Sequence, residues 1–228
     1  MRMRKKKHGS ERLALCADFL ASAPLDISGE DKIFLEIGAG KGGFACEMAK
    51  RNPDVKYFAM ERVSDCVVLA AERARKSFDE DGSCKNLKFI IDTADNLADL
   101  FAKESVDALF LNFSDPWSKK GYAKRRLTHR RYLATYFELL KVGGVMTFKT
   151  DNVGLFDFSL EEIEAMGLTF EALTRDLHSS EYNEGNVVTE YEAAFSAEGI
   201  PINMFRVRKP EGYDPRSFFT EVKKEINE

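Results

Sequence analysis

No run of eighteen or more apolar residues occurs in the 228-residue sequence, which argues against a membrane-spanning helix. Cysteine is sparse: Cys16, Cys46, Cys66 and Cys84 lie far apart with no CxxC pair. The three histidines, His8, His129 and His178, form no metal-ligand spacing. Buried or free thiols are therefore expected in place of disulfides or zinc, and no metal is assigned. The basic start, Met1 to Lys7, is not followed by the apolar stretch of a signal peptide, so the chain reads as cytoplasmic. Neither an internal repeat nor a low-complexity linker is present. The length suits one domain, 1–228, with a basic arm over 1–10 and a tail over 210–228 whose role is not legible.

Basic residues are also in the minority, 34 against 38 acidic, for a net charge of −4. That balance by itself disfavours a nucleic-acid partner, but its distribution favours one. Met1 to His8 holds five Lys or Arg and Lys119 to Arg131 holds seven, neither with an acid, and the remaining chain carries 22 basic against 38 acidic residues. Such a map suits a protein that grips phosphates on one face and repels them elsewhere.

The most informative stretch is Asn112-Phe113-Ser114-Asp115-Pro116-Trp117. The apolar run from Val106 ends abruptly at a carboxylate, a proline and the sole tryptophan, directly before the longer basic segment. A buried strand that delivers Asp115 and an aromatic ring to a positively rimmed cleft suits an enzyme acting on a base within a nucleic acid. Proline fixes the chain behind the carboxylate, and Trp117 either stacks on a base or walls the pocket.

Short apolar runs alternate with helical patterns along the chain. Strands are expected over Lys32–Ile37, Tyr57–Glu61, Leu87–Ile91, Val106–Phe113, Gly144–Thr150, Leu168–Leu177 and Met204–Arg208, the last antiparallel. Helices are expected over Phe44–Arg51, Ser64–Ser77, Thr128–Leu140 with Thr128 as its N-cap, and Leu155–Met166. The alternation implies an α/β fold: a mixed, mostly parallel seven-stranded sheet with helices on both faces.

The first strand runs into Glu36-Ile37-Gly38-Ala39-Gly40-Lys41-Gly42-Gly43, where glycines permit positive φ and close approach of a ligand to backbone. GxGxxG alone is a weak signal. Glu36 is unusual for a dinucleotide strand and suits the ammonium of a methionine moiety. Glu61, closing the second strand, can accept both hydroxyls of a ribose, a role common to NAD and S-adenosylmethionine. Residues Asp92 to Asp95 end the third strand, where adenine would lie. Asp151 and Asn152 open a turn after the fifth strand. Thr189 with Glu192 forms a capping box that opens a helix over Glu190–Glu198, and a helix N-terminus also presents N–H groups to a ligand.

Taken in order, Met1-Arg2-Met3-Arg4-Lys5-Lys6, Leu35 to Gly42, Asn112 to Trp117, Lys124-Arg125-Arg126-Leu127-Thr128, Phe148-Lys149-Thr150-Asp151-Asn152, and Thr189-Glu190-Tyr191-Glu192 with Phe195 resemble the bacterial tRNA (guanine-N7-)-methyltransferases over about residues 1 to 208. The resemblance implies a Rossmann-like enzyme that uses S-adenosyl-L-methionine to form 7-methylguanosine at position 46 of the tRNA variable loop. It implies that Glu36, Gly38, Gly40, Glu61, Thr93 and Asp115 hold the cofactor, with Asp115 also catalytic. Lys119, Asp151, Thr189, Glu190, Tyr191 and Glu192 would then meet the tRNA. The family's usual residues differ from Thr93, Ser118, Gly121 and Tyr122 here. A monomer or a homodimer is compatible with this reading. The rivals are an NAD-dependent oxidoreductase, a methyltransferase acting on protein or a small molecule, and a non-catalytic RNA-binding module.

Overall fold

Alternation along the central strands sends side chains to two separate cores. Ile33, Leu35 and Ile37 pack on one face with Phe58, Met60, Leu109 and Leu111, while Tyr57, Ala59, Leu87 and Phe89 pack on the other. Strands buried on both faces need a cover on each, which the crossover helices supply. The computed structural model describes residues 6–78 and 86–217. In chain order its elements are α1 (Gly9–Ala14), β1 (Ile33–Ile37), α2 (Gly43–Arg51), β2 (Lys56–Met60), α3 (Ser64–Phe78), β3 (Leu87–Ile90), α4 (Leu97–Leu100) and β4 (Val106–Asn112). They continue with α5 (Arg130–Leu139), β5 (Leu140–Thr150), α6 (Val153–Ala165), β6 (Phe170–Thr174), α7 (Glu190–Ala197) and β7 (Asn203–Arg208).

The seven strands lie in the order β3-β2-β1-β4-β5-β7-β6. The first five run parallel, and β7 is antiparallel to both β5 and β6, as expected of the last strand. Chain order reverses between β1 and β4, so a crevice opens there beyond the carboxyl ends of the strands. No helix among the described residues is long and apolar enough to cross a membrane. Cys16, Cys46 and Cys66 form no disulfide. Cys84, the first half of the basic arm (residues 1–5) and the end of the tail (218–228) lie outside the described residues.

Most boundaries shift from the sequence reading by one or two residues; β6 is shorter than expected, Phe170–Thr174 in place of Leu168–Leu177, and two further differences have a clear physical cause. The fifth strand starts at Leu140, because Leu140 pairs with Val106 before a register shift at Gly143-Gly144 restores the ladder at Val145. The N-cap of α5 is His129, whose Nδ1 accepts from the Arg131 N–H at 3.2 Å. Thr128 is fully buried, and its hydroxyl accepts from Ser159 Oγ at 2.7 Å, so it serves packing of α5 on α6.

Candidate active site

The glycine loop is shaped by both conformation and contact. Gly38, Gly40 and Gly42 have φ of +81°, +55° and +72°. A Cβ on Gly42 would stand 2.8 Å from Ala70 Cβ and 3.0 Å from the Phe89 ring, whereas Gly38 and Gly40 face open space. Gly42 thus lets α3 and β3 close against the loop, while Gly38 and Gly40 leave the outer side of the turn accessible.

Glu61 follows β2 and supports this loop. Its carboxylate accepts from the Gly40 N–H at 3.0 Å and from the Val63 N–H at 2.9 Å. Glu36 lies beneath the loop, only 2% exposed. It accepts from Asn112 Nδ2 at 3.2 Å and from the Tyr57 hydroxyl at 3.4 Å. Burial pushes its carboxyl up to about 7, against the lowering pull of Asn112, Tyr57 and Lys149. Glu36 therefore ties β1 to β4 across the point where chain order reverses.

At the end of β3, Asp92 accepts from the Thr93 N–H and from Asn96 Nδ2, both at 2.7 Å, while the Thr93 side chain stays exposed. Asp95 is engaged by Arg131 at 2.6 Å and by the Tyr132 hydroxyl at 3.3 Å. Two main-chain outliers flank the acid after β4: Phe113 at φ +51° and Trp117 at φ +41°. Bulky residues in that region cost of order 1–2 kcal/mol each, strain of the kind concentrated at working sites. Between them, Asp115 projects outward, with Arg62 Nη2 3.4 Å from its carboxylate.

The basic segment is more deeply engaged in the protein than its sequence suggests. Arg126 donates to the carbonyls of Pro116 and Trp117, at 3.0 and 3.3 Å. Arg130 pairs with Glu162 at 2.6 Å and Arg131 with Asp95 at 2.6 Å. The Arg125 guanidinium lies over two aromatic rings. Among the described residues, Lys119, Lys120, Lys124 and Arg125 make no ion pair or hydrogen bond through their side chains, and of these Arg125 alone rests on aromatic rings.

Opposite, α7 closes over the glycine loop. Glu190 pairs with Arg73 of α3, which lies against Gly43 at the start of α2. The Thr189–Glu192 capping box is formed, with the Thr189 hydroxyl accepting from the Glu192 N–H at 3.0 Å. Glu192 is fully buried and accepts from Lys149 Nζ at 2.6 Å, with Asn186 at 2.6 Å and His178 at 2.9 Å. Burial opposes its ionisation, but Lys149, Asn186 and the Thr189 N–H outweigh that effect and hold it below the usual carboxylate range. Burial lowers the Lys149 ammonium, which Glu192 partly restores. Tyr191 remains 61% exposed, its ring stacked on Phe113 and Phe195 at 6.2 and 6.5 Å between centroids.

The fold thus brings the residues after β1 to β5 (Gly38, Gly40, Glu61, Thr93, Asp115 and Asp151) to one edge of the sheet and sets α7 across from them. Lys119 is exposed and caps the 3-10 turn over Lys120–Arg125. Arg62, Asn112 and Lys149 also stand near this edge, although the sequence reading gave none of them a role. Asn112 and Lys149 lie inside motifs that the sequence singled out, whereas Arg62 gave no signal. The edge suits a polar ligand with hydroxyls: Asn112 Oδ1 and Ser114 Oγ are buried acceptors with no hydrogen-bond partner.

Residues 30–204 match a family described as "Putative methyltransferase". The tRNA (guanine-N(7)-)-methyltransferase of Bacillus subtilis (strain 168) is 41% identical over 210 residues, covering 89% of this chain and 96% of that one. The enzyme of the same name from Lachnoclostridium phytofermentans is 45% identical over 171 residues, covering 75% and 78%. Among solved structures, the 16S rRNA methyltransferase KamB aligns at TM-score 0.59 with 12% identity, over 92% of this chain and 97% of that one. The antibiotic-resistance methyltransferase Kmr aligns at TM-score 0.56 with 16% identity, over 88% and 93%. Both describe the fold alone.

Proposed function

We propose, from the premise that this chain belongs to the bacterial tRNA (guanine-N7-)-methyltransferase family, that it methylates N7 of a guanine in the tRNA variable loop, with S-adenosyl-L-methionine as the donor. The observation that carries this reading is Asp115. An outward carboxylate, held by strained backbone at the end of β4, stands beside the strand that bears the glycine loop.

The cofactor, when bound, supplies an electrophilic methyl group on a sulfonium. Glu61 receives the ribose hydroxyls, and the Gly38–Gly42 turn offers its open backbone. Thr93, at the end of the third strand, borders the adenine. Asn112 and Ser114 contribute acceptors at the centre of the edge. Guanine N7 has a lone pair and no proton, so the chain needs no general base at the nucleophile. Its work is orientation, which at the limit supplies roughly 7–11 kcal/mol.

Asp115 accepts from guanine N1–H and the exocyclic amine, which turns N7 towards the methyl group and rejects adenine. Tyr191 offers an exposed ring on which the base stacks, and Asp151 and the N-terminus of α7 border the same space. Lys119 meets a phosphate.

Labelled S-adenosylmethionine and unmodified tRNA test the reading directly. The expected product after digestion is labelled 7-methylguanosine, absent when the variable-loop guanine is replaced. Label on another nucleoside overturns the target assignment, and no transfer to any tRNA overturns the function.

A further inference from the structure

The rim beside Asp115 carries an arrangement that cofactor binding and guanine recognition leave unused. Trp117 and Tyr122 meet edge to face, with centroids 5.8 Å apart and an interplanar angle of 84°. The Arg125 guanidinium lies 5.0 Å from the Trp117 centroid and 4.6 Å from that of Tyr122. This cluster adds little to the core. The 3-10 turn Lys120–Arg125 that carries it buries none of its residues, and Tyr122 is 40% exposed.

The backbone is nevertheless held in an unfavourable shape there. Trp117 sits at φ +41°, and Arg126 clamps the loop through the carbonyls of Pro116 and Trp117. A strained, doubly clamped loop that exposes Tyr122 and leaves Trp117 only half-buried gains little from burial. It does gain from a flat ligand, because aromatic faces and a guanidinium plane both stack on nucleobases. Lys119, Lys120 and Lys124 surround it without ion pairs among the described residues, so the expected ligand has phosphates next to its flat group.

We infer that Trp117, Tyr122 and Arg125 form a stacking platform for an unstacked RNA base neighbouring the one that is methylated. The inference rests on RNA being the partner and adds a second base to the site. It assigns Tyr122 a positioning role distinct from phosphate binding: the platform holds the flanking nucleotide so that the target can leave its stack.

Trp117 is the only tryptophan in the chain, so its emission reports this spot alone. Titration with unmodified tRNA should quench it, saturating in step with binding measured by filter retention. Tyr122→Ala should weaken tRNA binding about tenfold, within the range of one lost base–aromatic stack. The slope of log affinity on log salt should not change, since no phosphate contact is removed. Tyr122→Leu should behave like the alanine variant and Tyr122→Phe like the original, all with unchanged circular dichroism.

Bound tRNA that leaves the emission unquenched overturns the platform. So does a Tyr122→Ala protein that binds within twofold of the original, or one whose salt slope falls. Formation of 7-methylguanosine by the unaltered protein on the same tRNA separates the two readings. Methylation without quenching removes the platform and keeps the function, while quenching without methylation does the reverse.

Discussion

Asp115 and Glu36 are both carboxylates at the ends of neighbouring strands, yet their surroundings give them opposite work. Asp115 stands in solvent with a long contact to Arg62 at 3.4 Å, free to meet a ligand. Asp115→Asn keeps the shape but places a donor where the guanine N1–H also donates. Turnover should fall by two orders of magnitude or more, roughly the value of a lost charge-assisted hydrogen bond together with its misplaced donor. Cofactor affinity measured by calorimetry should stay within about threefold; an equal loss of affinity would move Asp115 to the cofactor. Glu36 is sealed, with its carboxyl raised to about 7 by burial from an ordinary value of 4.5. The folded protein then binds more protons than the unfolded chain between those values. The ionisation of Glu36 therefore erodes stability progressively as pH rises through that window, by an amount on the order of 3 kcal/mol at most. Thermal unfolding of Glu36→Gln should show a melting temperature, relative to the original, that is more favourable at pH 8 than at pH 5. An offset that is the same at both values would mean that Glu36 does not titrate in this range.

Helix α7 is held to the sheet by an ion pair that no solvent reaches. Lys149 of β5 and Glu192 meet at 2.6 Å, with side-chain exposures of 3% and 0%. Lys149→Met leaves that carboxylate buried without its cation, a loss of about 3–5 kcal/mol, which urea unfolding would register. Combined with Glu192→Gln, most of that loss should return; a double variant as weak as the single one would show that the lysine acts by packing alone. This element also shows what the sequence could and could not reveal. The capping box at Thr189 was legible because its two partners are three residues apart. The pairing of Glu192 with Lys149 spans 43 residues and depends on the crossover that brings α7 over the glycine loop. Most strand and helix boundaries were legible to within about two residues, since hydrophobic period is a local property. Thr128 misled because a threonine before a helical pattern has the chemistry of an N-cap, while its hydroxyl is in fact taken up by Ser159 from α6. The edge that gathers Gly38, Glu61, Thr93 and Asp115 followed from motif order. The strain at Phe113 and Trp117 did not, because neither residue type ordinarily adopts positive φ.

At the scale of the whole molecule, the charge map is narrower than a count of residues indicates. Seven Lys or Arg crowd the segment after Trp117, but Arg126, Arg130 and Arg131 hydrogen-bond or pair within the protein, and Arg125 lies on aromatic rings. Three lysines are left to displace counterions. Replacing Lys119, Lys120 and Lys124 with alanine should therefore reduce the slope of log affinity for tRNA on log salt by about 2 to 3. Arg130→Ala should instead lower stability and leave that slope nearly unchanged. A slope that falls more for Arg130→Ala than for the lysines would show that the Glu162 pair opens when RNA binds.

The order of the strands bears, finally, on how such a protein changes over generations. Loops after β1, β2 and β3 form one group and those after β4 and β5, with α7, form another, each carried on its own strands. Mutations that retarget the second group to a different acceptor need not disturb the first, so a lineage can exchange acceptors while inheriting the same donor. The alignment with KamB, at 12% identity, shows the same sheet on a very different sequence. Asn112 and Ser114, proposed to serve the donor from the strand and loop that also carry Asp115, are where the two groups meet.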